Sequence, residues 1–252
     1  MSDSAQIKEF SGRGEVALAS GDHLLQPLLE HARRTPERVM FSRRVAERFE
    51  PMTAAEVVRT VRGLARGLIA LGVEPGQRVA LMSKTRVEWP LIDYAILATG
   101  ATTVPIYETS SAEQVKWILE NSGAVAAFFE TDALHAHYRA CAGELPACQN
   151  TFVLEQGALE HLRERGEGVE EARLEERLAG LRTDALATLI YTSGTTGRPR
   201  GCELTHANIR GNVRQVLEHT HGVLTEQDRT LLFLPLAHAL AKILFLASVE
   251  RL

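Results

Sequence analysis

The chain has 252 residues, 45% apolar and 24% charged, with nineteen glycines and nine prolines, a composition that excludes a disordered or collagen-like chain and suits an ordinary soluble globular protein. Its 28 basic and 32 acidic residues leave a net charge of −4 and are mixed along the sequence, so no basic face for nucleic acid is offered. The three cysteines, Cys141, Cys148 and Cys202, form no CxxC pair, which argues against structural zinc and makes a reducing compartment, the cytoplasm, the expected location.

The N-terminal stretch MSDSAQIKEF has no apolar run behind a basic flank, so no secretory signal is expected. Thr53 and Glu56 have the spacing of a capping box, and Val57, Val61, Leu64, Leu68 and Leu71 follow on one helical face. Gly72 stands where that helix should end, and Pro75-Gly76 turns the chain into a short buried strand over Arg78 to Met82. The alternation continues with a helix around Pro90 to Ala98 and a strand over Thr102 to Ile106. A second capping box at Ser110 and Glu113 then opens a helix that turns Val115, Ile118 and Leu119 inward. Strands over Ala124 to Phe129 and Thr151 to Leu154 follow, separated by a helix near Asp132 to Ala142. This β-α-β-α-β-α-β order predicts an α/β fold with a parallel sheet flanked by helices, plus additional strands.

Between Glu155 and Asp184 nine acidic residues and five arginines surround sparse leucines, the pattern of a solvated surface helix pair. Further on, Leu231 to Val249 is apolar for long enough to span a membrane, but Pro235, His238 and Lys242 interrupt it. A buried strand ending at Pro235, then a loop and a buried helix, is the expected structure there.

Ala185 to Tyr191 is strand-like and ends in Thr192-Ser193-Gly194-Thr195-Thr196-Gly197-Arg198-Pro199-Arg200-Gly201, after which Thr205 is placed to cap a helix carrying Ile209, Val213, Val216 and Leu217. Ten residues thus offer four hydroxyls, three glycines and two guanidinium groups, a set suited to a polyphosphate. The segment is not a Walker A loop, because Arg198-Pro199 rather than Lys and a hydroxyl follow Gly197. A G-x-S-x-G elbow is excluded by Tyr191 two residues before Ser193. On chemistry alone both a phosphate cradle and a flexible linker remain open; the abrupt junction with a buried strand and the two arginines favour the cradle.

The run YTSGTTGRPRG followed by LTHANI closely resembles the signature of the adenylate-forming superfamily, to which acyl-CoA synthetases belong. Two more blocks, Leu97 to Ala124 and Leu231 to Ile243, fit the same family, and their PIYETSS and LPLAH stretches look most like its long-chain fatty-acid–CoA ligase branch. The resemblance implies a two-step ligase: a fatty-acid carboxylate attacks the α-phosphorus of Mg-ATP to release pyrophosphate, and the thiol of coenzyme A then displaces AMP from the acyl-adenylate. It implies that Thr192, Ser193, Gly194, Thr195, Thr196 and Gly197 grip the β- and γ-phosphates. Thr195 would lie at the Mg2+ that accompanies ATP, Arg200 would stand where the family usually has lysine, and His238 would sit where the nucleotide and acyl sites meet. Without the resemblance, a lone histidine in an apolar run is more often a satisfied core residue, and position rather than acid–base chemistry is the role expected of it.

The family's later adenine, ribose and lid motifs have no counterpart before Leu252. Residues 1–252 are therefore expected to form an incomplete large N-terminal, AMP-binding domain without the C-terminal lid, and the alternative function is a catalytically incomplete nucleotide-binding fragment. Fatty acid, ATP and coenzyme A are the implied partners; peripheral contact with a membrane is compatible with such a ligase, although no amphipathic anchor stands out. His206, in a helix's first turn, is expected to be exposed. The His135/His137 and His219/His221 pairs point to different sides of a helix and make no metal site.

Overall fold

The computed structural model describes residues 17–192, 198–220 and 225–252. In chain order it runs α1 (Gln26–Arg34), a hairpin of β1 (Val39–Val45) and β2 (Arg48–Thr53), α2 (Ala54–Ala70), β3 (Arg78–Met82), α3 (Glu88–Ala98), β4 (Thr102–Ile106), α4 (Ala112–Ser122) and β5 (Ala126–Phe129). There follow α5 (Asp132–Arg139), β6 (Asn150–Val153), α6 (Ala158–Gly166), α7 (Glu171–Ala179), β7 (Leu186–Thr192), β8 (Arg200–Thr205), α8 (His206–His219) and α9 (Ala239–Arg251).

Helix α2 forms as its spacing predicts. Thr53 Oγ1 accepts from the Glu56 amide at 3.3 Å, Glu56 accepts from the Thr53 amide at 2.8 Å, and Gly72 leaves the helix with φ 81°, a conformation that costs a residue with a side chain. The second capping box lies one residue beyond its predicted place: Ser111 and Gln114, not Ser110 and Glu113, exchange the two bonds. An amide oxygen on Gln114 serves the motif as well as a carboxylate, and the inward face of Val115, Ile118 and Leu119 is as expected.

Six strands form one sheet in the order β6-β5-β3-β4-β7-β8. All neighbours are parallel except β7 and β8, which pair antiparallel. The predicted parallel α/β sheet is therefore present, with an antiparallel edge that the sequence pattern did not announce. One face is covered by α2, α3 and α6, with buried Leu64, Leu68, Trp89, Ile92, Ile96 and Leu162 in a single core. The other is covered by α4 and by the α5 region, around Val115, Ile118, Leu119, Phe129 and Cys148.

The acidic stretch forms the predicted helix pair, α6 and α7, fastened to α2. Its exposed acids pair with α2 through Arg62 to Glu171 and Glu175, and through Arg66 to Glu171 at 3.1 Å. Beneath them Leu162 and Leu174 are buried, and α2 and α6 meet at Gly67 and Gly166, where a Cβ on Gly67 would lie 2.0 Å from the Leu162 carbonyl oxygen.

Residues 231–234 are not the predicted buried strand. Leu231 and Phe233 are 71% and 74% exposed while Leu232 and Leu234 pack on the core, so the extended run splits its side chains between two environments. No strand among the described residues pairs with it, and an unpaired backbone has no ladder to join. Helix α9 begins only at Ala239, and among the described residues no helix is long and apolar enough to cross a membrane. Lys242, on α9, is buried because its Nζ lies 2.9 Å from Asp93 Oδ1 of α3, with both side chains at most 2% exposed. A buried ammonium is tolerated only with such a partner.

Candidate active site at the carboxyl ends of the strands

In an open α/β sheet a crevice opens where successive crossovers leave on opposite faces, beyond the carboxyl ends of the strands. Here β3 leads into α3 on one face and neighbouring β4 leads into α4 on the other. The ladder between β4 and β7 is confined to Thr103 and Thr188; Pro105, two residues on, has no N–H to extend it.

Thr192 ends β7 at this edge and is exposed. It pairs with Arg200, the first residue of β8, so the hydroxyl-rich segment connects two antiparallel strands. The candidate residues Ser193, Gly194, Thr195, Thr196 and Gly197 lie outside the described residues. Both strands leading to them are held by α4. Tyr191 donates its hydroxyl hydrogen to Asn121 Oδ1 at 2.6 Å, Trp117 Nε1 donates to the Pro199 carbonyl at 2.8 Å, and the Arg198 guanidinium lies 4.6 Å from the centre of the Trp117 ring. Arg198 and Arg200 are exposed, and among the described residues neither has a carboxylate within ion-pair distance. At the ends of β3 and β5, by contrast, Glu130 accepts from the Lys84 amide at 2.8 Å and lies 3.7 Å from Arg86. Hydrogen bonding to Glu88 is foremost in holding the Arg86 pKa above its ordinary value. Two guanidinium groups without an ion pair among the described residues thus stand at the β7–β8 connection.

The LPLAH turn reaches the same edge through Thr85, which follows β3. The Thr85 hydroxyl donates to the Leu234 carbonyl at 2.6 Å and accepts from the Leu236 amide at 3.2 Å. His238 is exposed, its amide donates to the Pro235 carbonyl at 2.9 Å, and its Nδ1 accepts from the Leu240 amide at 3.2 Å as the N-cap of α9. That cap requires an unprotonated Nδ1 and puts the ring proton on Nε2. No described contact joins His238 to Thr192 or Arg200; they share the carboxyl edge of the sheet.

Three other histidines make contacts within the fold. His206 is 1% exposed, contrary to expectation, because the first turn of α8 packs against the segment before α1. Its Nδ1 accepts from the Leu24 amide at 3.2 Å, and burial pushes its pKa down to about 3. His135 Nε2 bonds Thr151 Oγ1 at 3.0 Å, His219 bonds the Gln215 carbonyl, and His221 lies outside the described residues. All three cysteines are free; burial pushes the Cys148 thiol up to about 12. Among the described residues no group of three or more His, Cys, Asp or Glu could hold a metal ion. Thr85, Trp117 and Asn121 were not singled out from the sequence. Only the i, i+4 spacing of Trp117 and Asn121 on one helix face could have suggested them.

The chain is similar to several known proteins. The chain is 42% identical over 96% of its length to a long-chain-fatty-acid–CoA ligase, FadD15, of Mycobacterium bovis, of which it spans 41%. It is 32% identical over 74% of its length to long chain acyl-CoA synthetase 7, peroxisomal, of Arabidopsis thaliana, spanning 28% of that protein. The inhibitor-bound N-terminal domain of FACL13 from Mycobacterium tuberculosis superposes with a TM-score of 0.76 at 27% identity, covering 91% of this chain and 55% of that one. This chain therefore corresponds to about two fifths of the ligase it matches at 42% identity. The family model described as AMP-binding enzyme matches residues 28–249, almost all of the sheet, its helices and the hydroxyl-rich hairpin between them, and the chain belongs to that family.

Proposed function

We propose that the chain is the phosphate-gripping and acid-facing part of an ATP-dependent long-chain fatty-acid–CoA ligase, and that residues 1–252 make up part of its AMP-binding domain without the C-terminal lid. The observation that carries this is the connection between β7 and β8. Its two arginines have no carboxylate partner among the described residues and stand beside a segment of hydroxyls and glycines, at the sheet edge where α/β folds bind nucleotides.

In this proposal Thr192, Ser193, Gly194, Thr195, Thr196 and Gly197 donate backbone and hydroxyl hydrogen bonds to the β- and γ-phosphates, and Arg200 neutralises charge in place of the usual lysine. Catalysis of adenylation is then mostly positioning: the pyrophosphate leaving group is held in line while the fatty-acid carboxylate attacks the α-phosphorus. His238, its Nδ1 engaged by the α9 cap, offers Nε2–H to orient that carboxylate and keeps its proton throughout. The described residues hold no donor cluster for a resident metal; magnesium enters as part of the Mg-ATP substrate, with Thr195 beside it. Coenzyme A acts in the second step, in which its thiol displaces AMP. A cytoplasmic enzyme that meets its lipid substrate at a membrane surface fits this chemistry.

The test is fatty-acid-dependent ATP–pyrophosphate exchange by the complete gene product. Exchange that requires a long-chain acid is expected, and its absence with Mg-ATP and saturating acid refutes the ligase function. The chain spans about two fifths of its ligase relatives, which favours a second, narrower role for the isolated 252 residues: nucleotide binding without thioester formation.

A further inference from the structure

Helix α4 lies in the Leu97 to Ala124 block, to which the proposed chemistry assigns no task. It is rigidly built, with a complete capping box at Ser111 and Gln114, three buried apolar residues and Gly123 in the left-handed conformation at its end. One turn apart on it, Asn121 contacts Tyr191 of β7 and Trp117 contacts Pro199, just before β8. The Trp117 contacts are of two kinds. Its N–H fixes the backbone at Pro199, and its ring face receives the Arg198 guanidinium. A ring quadrupole holds a guanidinium without neutralising it, as a carboxylate would. On β8 the close approach of Gly201 to Leu189 and Tyr191, with a Cβ there 2.9 Å from Leu189 Cδ1, keeps the stem narrow.

We infer that Trp117 is a positioning residue for the cationic stem of the phosphate-binding connection: it fixes Pro199 and presents Arg198, and with it the neighbouring Arg200, to a polyphosphate in an unneutralised state. The inference rests on the phosphate-binding function proposed above. It uses only Tyr191, Thr192 and Arg198 to Arg200 of the connection.

The 252-residue chain and its Trp117→Ala and Trp117→Phe variants are titrated by calorimetry with Mg-ATP and with inorganic tripolyphosphate. Trp117→Ala is expected to weaken both probes by about tenfold, the scale of a lost charge-assisted contact. Trp117→Phe, which keeps a ring face but no N–H, is expected to fall between. Excited at the red edge of the tryptophan band, where tyrosine does not absorb, only Trp89 and Trp117 emit, so the emission lost in Trp117→Phe belongs to Trp117, and that component is expected to shift when tripolyphosphate saturates the parent chain. A merely structural tryptophan would leave it unmoved. Should Trp117→Ala fail to fold, Trp117→Phe decides alone. Parent affinity in the variants, or a Trp117 emission blind to tripolyphosphate bound by the parent, overturns the inference while phosphate binding stands. A parent chain that binds neither probe removes phosphate binding and the inference together.

Discussion

Two glycines one turn apart in α2 should respond to alanine with opposite signs. Gly63 and Gly67 are both helical, and on propensity alone Gly→Ala in a helix interior stabilises by about 1 kcal/mol. At Gly63 the new Cβ would meet the Arg163 side chain at 3.3 Å, and a flexible side chain can give way. A net gain of about 0.5 kcal/mol is expected for Gly63→Ala. At Gly67 the Cβ would fall 2.0 Å from the Leu162 carbonyl oxygen and 2.6 Å from its Cγ, while Gly166 already brings the two backbones together. Relief requires α6 to move about 1 Å from α2, which opens the contact around buried Leu162 and Leu68. Overpacking against backbone costs about 3 kcal/mol at the upper end of its usual range, which outweighs the propensity gain and leaves Gly67→Ala about 2 kcal/mol less stable than the parent. The two variants should then differ by about 2.5 kcal/mol, or about 1 M in urea midpoint for a protein of this size. Equal midpoints for Gly63→Ala and Gly67→Ala would refute the close-packed crossing.

The buried Lys242–Asp93 pair should show strong coupling: Asp93→Leu or Lys242→Met alone is expected to cost about 3–5 kcal/mol, and the double variant much less than the sum. Urea unfolding of the four proteins checks it, and additive losses would contradict the pairing. His206, with its folded pKa near 3, takes up a proton more readily when unfolded. Its contribution is therefore complete above about pH 6.5 and is lost as pH falls toward 3, with a slope of at most about 1.4 kcal/mol per pH unit. His206→Asn, which retains an acceptor for the Leu24 amide, should flatten stability against pH in that window; an unchanged slope would show that His206 is not the group responsible. In the complete gene product, His238→Asn keeps an N-cap acceptor but loses Nε2–H. Its melting temperature should stay near the parent's while KM for fatty acid rises about tenfold, the loss of one carboxylate contact; an unchanged KM would remove His238 from the acid site.

Most of the sheet was legible because its strands and helices carry opposite periodicities and clear punctuation: Thr53 with Glu56, Gly72 and Pro75-Gly76 each mark a boundary. The parallel direction of most pairs was legible from the alternation, but that of the β7–β8 pair was not. The antiparallel turn from β7 to β8 depends on a hairpin whose alternating residues resemble those of any edge strand. Residues 231–234 misled because an apolar run reports what a strand could bury, not whether a neighbour exists to bury it. His206 misled for a related reason: capping chemistry fixes where a helix starts, but tertiary packing fixes which side of its first turn faces inward. At the candidate site the residue types of the connection suggested a phosphate cradle, since hydroxyls and glycines beside two arginines suit a polyphosphate. The hold of α4 on its stem could not be read in the same way, because Trp117 and Pro199 are 82 residues apart.

The central claim is that the hydroxyl-and-glycine connection between β7 and β8 grips a nucleotide's triphosphate tail. Calorimetric titration of Mg-ATP into the parent chain and into a Thr195→Val, Thr196→Val double variant tests it most directly. The predicted result is at least about a tenfold loss of affinity in the double variant, two hydroxyl donors' worth, at an unchanged melting temperature. Equal affinity in the two proteins would contradict the claim and, with it, the proposed ligase site.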